Sequence, residues 1–217
     1  MISDLINIFL VKYHKKRGCR FLHNGQCTKA KYHFEKSLLY GEDFESRFFY
    51  ALCLMSVNKH NEAIIHFEQV VGIAPDDFVT FISLIECYLV TQNWEKAIEL
   101  VNNQIEQYKE NLIVQKLYKI ANDPILREEY VMSKVSYFQA LEDFDNKKLT
   151  SAFENIVKAI ELDKTNSVYY YTAAMILLKD KKPKEEIEFY LEKAVFLSQN
   201  KVQYKKQLHF IKTRYKC

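Results

Sequence analysis

At 217 residues with 48% hydrophobic and 14% aromatic content, the chain has enough apolar mass for a sizeable core, which excludes a disordered chain. Only four Gly and three Pro leave few sharp turns, which excludes a strand-rich fold in favour of helices joined by short loops. The net charge of +3 is uneven: residues 1–23 hold five Lys or Arg against Asp4, residues 201–217 hold six and no acid, and the middle is acidic.

The first predicted element is an amphipathic helix over 2–23, with Ile2, Leu5, Ile6, Phe9 and Tyr13 on one side, expected to pack on the first repeat. Its cations, Lys12, Lys15, Lys16, Arg17 and Arg20, come after the apolar part, the reverse of a secretory leader, so a cytoplasmic protein is expected. Five Cys without CxxC spacing read as reduced, buried thiols. From residue 27 onward one pattern returns every 33 to 35 residues: Ala30, Phe34 and Ser37; Ala63, Phe67 and Val70; Ala97, Val101 and Gln104. After a gap it returns as Ala152, Ile156 and Ala159, then as Ile187, Leu191 and Ala194. A small residue followed by others four and seven places on marks one face of a helix, and its repetition implies stacked helical hairpins. The first helices are predicted at 2–23, 44–57, 77–90, 125–145 and 167–180, and the second at 27–40, 60–72, 93–107, 148–162 and 184–198. Breaks fall at Asn24-Gly25, Asn58-Lys59, Gln92-Asn93 and Asp145-Asn146. An extra helix is predicted over 111–121, and Asp123-Pro124 opens the next one. A last helix over 200–216 carries Tyr204, Leu208, Ile211 and Tyr215 on one face and Lys205, Lys206, Lys212 and Arg214 among its cations, as a cap requires.

This arrangement resembles the tetratricopeptide repeat, a 34-residue helix-turn-helix. The second unit carries the best match, with Ala51 and Leu54 on its first helix, Ala63, Phe67 and Val70 on its second, and Pro75 at its end; Trp94 and the stretch 151–163 add to it. The resemblance covers about residues 11–108 and 133–199. It implies an all-α, right-handed α-solenoid of antiparallel helix hairpins over 1–217. Three repeats would occupy 1–108, an irregular insertion 109–132, two further repeats 133–199, and a capping helix 200–217. Ile85 and Ile187 stand where the family has small residues, so looser or altered packing is expected at both.

In the family the first helices line a concave surface along which ligands lie. Carried over, this implies a groove of Lys15, Phe48, Leu52, Met55, Ile82, Glu86, Leu89, Tyr137 and Phe144. An apolar groove of that kind suits a helical or extended segment of another protein, the task of an adaptor or chaperone. Two alternatives stand beside it. The basic ends, Lys12, Lys16, Arg17 and Arg20 with Lys205, Lys206, Lys212 and Arg214, suit docking on nucleic acid or an anionic membrane, and exposed repeat ends suit self-assembly into a homo-oligomer. No HExxH, Gly-rich phosphate loop or GxSxG turn occurs and the six His lack ligand spacing, so no enzyme, cofactor or metal site is expected.

Overall fold

Each predicted hairpin needs a place where its first helix stops, and in the computed structural model that place, in four of the five, is a left-handed residue followed by a five-residue backbone return. The structure describes residues 2–23, 26–199 and 201–214, with backbone alone for 2, 3 and 214. The expected turn at Asn24-Gly25, the Arg214 side chain and Tyr215 lie outside the described residues. Asn58, Gln92, Lys147 and Lys181 take φ of 61°, 59°, 61° and 55°. The amides that follow, of Lys59, Asn93, Lys148 and Lys182, donate to the carbonyls of Leu54, Tyr88, Asp143 and Leu177 at 2.8–3.0 Å. This is the Schellman closure, and it is made without glycine, which reconciles many turns with so few Gly.

Among the described residues there are twelve helices and no strand. They are α1 (Ile2–His23), α2 (Cys27–Tyr40), α3 (Phe44–Ser56), α4 (His60–Ile73), α5 (Phe78–Val90), α6 (Trp94–Gln104), α7 (Leu112–Asn122), α8 (Pro124–Asp145), α9 (Leu149–Leu162), α10 (Ser167–Lys179), α11 (Lys184–Leu197) and α12 (Val202–Arg214). Helix starts follow from side-chain caps: Asp43 accepts from the Ser46 amide, Asp77 from Thr80, Asn111 from Ile113 and Val114, and Asn166 from Val168. The chain divides into two compact units, 1–123 and 124–217.

The first unit stacks the hairpins α1–α2, α3–α4 and α5–α6, and α7 then packs on both α5 and α6 as α5 packs on α3 and α4. The expected insertion therefore holds a helix in the first-helix place of a fourth hairpin whose second helix is missing. α6 ends earlier than expected, at Gln104, because Tyr108 folds back to put its ring 4.9 Å from Phe78 and 5.8 Å from Phe81. The second unit repeats the scheme with α8–α9, α10–α11 and a closing α12. Tyr204 of α12 stacks on Tyr171 of α10 at 4.3 Å, and Ile211 joins the core of Ala174, Leu177, Ile187 and Leu191.

The cores are built from the periodic residues: Ala30, Phe34, Ala63, Phe67, Val70, Ala97, Val101, Ala152, Ile156, Ala159, Ile187, Leu191 and Ala194 are all fully buried. Ser37, also buried, joins three helices, its hydroxyl donating to the Val11 carbonyl at 3.0 Å and meeting the Ser46 hydroxyl at 2.9 Å. Looser packing at Ile85 and Ile187 is not observed, since both are wholly buried; opposite Ile187 the small residue sits on α10 instead, at Ala174. Cys53 and Cys87 are buried, with the Cys53 thiol pushed up to about 12 by burial, whereas Cys19 and Cys27 are half-buried.

The α1–α2 pairing contains a titratable contact. His14 Nδ1 lies 3.0 Å from His33 Nδ1, between the rings of Tyr13, Tyr40, Phe21 and Tyr32. Such a contact needs one neutral ring to accept. Burial, then Lys36 and Arg17, lower the His14 pKa below 6.5, and burial, His14 and Arg17 do the same for His33. A depressed histidine pKa supplies stability above the unfolded value, which is lost as pH falls through the folded one. His66, lowered by burial and Arg47, acts in the same direction. Thermal melts are therefore expected to show Tm falling from about pH 7 to about pH 5, with a shallower fall in the His14→Gln/His33→Gln variant. A pH-independent Tm over that interval contradicts the assignment.

Candidate binding surface on the first helices

α3 and α5 begin at equivalent caps, Asp43 and Asp77, so their residues correspond at a spacing of 34. Phe48, Leu52 and Met55 lie on one face of α3 at i, i+4 and i+7, and Ile82, Glu86 and Leu89 take the same places on α5. Phe48, Leu52, Met55, Ile82 and Glu86 are half-buried, forming a shallow apolar strip with one carboxylate. The Phe48 ring sits edge-on to Phe67 at 6.2 Å and to Phe49 at 5.3 Å, which anchors one edge while leaving the other accessible.

Four expected groove residues are placed differently. Leu89 is 0% exposed and belongs to the core. Lys15 is not a free cation: its Nζ donates to Asp43 and Glu45, both at 2.9 Å, and these hydrogen bonds raise its pKa. Asp43 thus caps α3 and pairs with Lys15 at once; burial alone would raise its pKa, but Lys15 and Ser46 outweigh it and hold the carboxyl low. In the second unit Tyr137 and Phe144 pack against the core of Ala140, Ala152, Ile156 and Tyr169, with Tyr137 5.1 Å from Tyr169.

The basic positions also divide. Lys12, Lys16, Arg17 and Arg20 are exposed on α1, with Arg17 donating to the Tyr13 hydroxyl at 2.9 Å. Lys205 and Lys206 are exposed on α12, whereas Lys212 is held by Glu192 at 2.6 Å.

Periodicity gave no sign of two polar braces. Glu68 Oε1 on α4 accepts from the Tyr88 hydroxyl on α5 at 2.7 Å and from Lys96 Nζ on α6 at 2.9 Å, on the wall of a cleft of about 290 Å³. Arg47 fans out to Glu42, Gln69 and, at 3.2 Å, His66 Nδ1. Each brace draws on separate helices or turns at unrelated spacings, so no sequence pattern marks it. Buried Asp143 in the second unit likewise gathers Ser151 at 2.7 Å and Asn155 at 3.0 Å, and these bonds, Ser151 foremost, hold its pKa low.

Two short stacks of antiparallel helix hairpins, each opened by a 22-residue helix and closed by an unpaired one, define an all-α helical-repeat protein. Residues 44–77, covering α3, α4 and the turn to Asp77, match the tetratricopeptide repeat, so the chain contains a repeat of this type. No curated protein matches it in sequence. Its fold is similar to that of MamA (residues 41 to the end) from Desulfovibrio magneticus RS-1, at 15% identity over 88% of this chain and 96% of that one, with a TM-score of 0.44. It is also similar to the TPR2AB domain of yeast Sti1 in a complex with pHSP90, at 16% identity over 93% and 83%, with a TM-score of 0.43. A thermophilic TPR protein of Thermus thermophilus matches at 16% identity over 93% and 98%, with a TM-score of 0.41.

Proposed function

We propose that the protein is a non-catalytic interaction scaffold, an adaptor or chaperone, that captures an apolar segment of another protein on the α3–α5 face. The observation that carries this reading is the row Phe48, Leu52, Met55 and Ile82, which is neither sealed in the core nor fully solvated. Half-buried apolar side chains of this kind offer preordered walls, so a partner's anchor gains burial without much loss of side-chain freedom on the scaffold. At the edge of the strip Glu45 remains 62% exposed beside the neutralised Lys15, which favours a cation next to the partner's apolar anchor rather than a terminal carboxylate.

Affinity capture from native extract tests the reading. Leu52→Asp/Met55→Asp is expected to reduce the captured partner to background, while Ile65→Asp, on the outer side of α4 where Ile65 is 58% exposed, leaves capture intact. Equal capture by all three proteins, with matching far-UV circular dichroism, rejects this surface.

A further inference from the structure

The expected packing of the α1 apolar face on the first repeat does not occur. α1 has 22 residues and its partner α2 only 14. Val11, His14 and Gly18 face α2, but Leu5, Ile6, Ile8 and Phe9 are 52–66% exposed and Tyr13 42%. At 100° per residue, Leu5, Phe9, Tyr13 and Ile6 share one side of the helix with Lys12, Lys16, Arg17 and Arg20. The outer stripe is therefore apolar over its first turns and cationic over its last, with Asp4 on the opposite side. Among the described residues Lys12, Lys16 and Arg20 make no ion pair.

Charge decides what can cover this stripe. A second copy laid face to face would set these cations against themselves, and a head-to-tail copy would bring exposed Lys205 and Lys206 of α12 against them. Shape narrows the choice further. Ile8, Leu5, Phe9 and Ile6 spread over nearly half the circumference, wider than the single row of anchors a protein groove takes, but suited to fluid acyl chains.

We infer that α1 is a peripheral membrane anchor, whose first turns enter the interface of an anionic lipid bilayer while Lys12, Lys16 and Arg20 meet the lipid phosphates. Among the described residues no helix is long and apolar enough to cross a membrane, so the attachment is to one surface.

Cosedimentation of the full chain with phosphatidylcholine vesicles, with and without phosphatidylserine, tests this. Binding is expected on the anionic vesicles and to weaken with salt. Lys16→Gln/Arg20→Gln lowers the partition coefficient about 30-fold, each cation near an anionic surface being worth about a factor of five. Leu5→Ser/Phe9→Ser abolishes binding with unchanged circular dichroism, since both residues are exposed. Equal partition onto neutral vesicles, binding retained by Leu5→Ser/Phe9→Ser, or binding to soluble poly(U) or polyglutamate as tight as to vesicles overturns the inference. Leu52→Asp/Met55→Asp is expected to bind vesicles normally, so this anchor and the α3–α5 surface stand or fall separately.

Discussion

Gly18→Ala is expected to destabilise the protein by about 1–3 kcal/mol, although alanine favours a helix over glycine by about 1 kcal/mol. Gly18 lies within α1, where the added methyl would come 2.6 Å from Phe34 Cε1 and 2.8 Å from Cδ1 and Cζ. Phe34 cannot withdraw: it is wholly buried and its ring stacks on Phe49 at 5.4 Å. Phe34→Ala alone is expected to cost about 3–5 kcal/mol through the void it leaves. The two changes address the same space, so the Gly18→Ala/Phe34→Ala double variant should lose at least about 1 kcal/mol less than the sum of the singles. Urea denaturation of the four proteins measures this, and additivity within about 0.5 kcal/mol contradicts the proposed contact.

Ile187→Ala is expected to cost about 2–5 kcal/mol even though alanine is the family's usual residue at this place and the better helix former by a few tenths of a kcal/mol. Ile187 fills the space between α11, α10 and α12, against Ala174, Leu177, Leu191 and Ile211. Ala174 in the same core is itself small, so it adds no volume there. Adding Ala174→Val in the Ile187→Ala background should return part of the loss, because volume comes back from the facing side. Denaturation midpoints decide the matter: an Ile187→Ala protein as stable as the parent would show that this core is not packed as described.

These two cases show what periodicity reveals and where it stops. Spacing of small and apolar residues located nearly every helix, because a helix face must repeat at 3.6 residues whatever it packs against. It could not show that Ile187 is matched by Ala174, since complementary volume lies across the interface on another helix. Nor could it show that α7 takes a first-helix place, which depends on packing against both α5 and α6. The binding strip was legible in part: Phe48, Leu52 and Met55 follow from helix register, but the burial of Leu89 does not, and the neutralisation of Lys15 depends on a cap residue 28 positions away. The sequence marks α1 as amphipathic, but the packing partner its stripe would need is not supplied by the shorter α2.

On the proposed function, the half-buried strip of α3 and α5 is where another protein is held. Isothermal titration of the captured segment into the wild-type chain, the Leu52→Asp/Met55→Asp variant and the Ile65→Asp control tests it most directly. A negative heat-capacity change is expected on binding to the wild type, with affinity at least about 30-fold weaker for the strip variant and no change for the control. Equal affinity for all three proteins would contradict it.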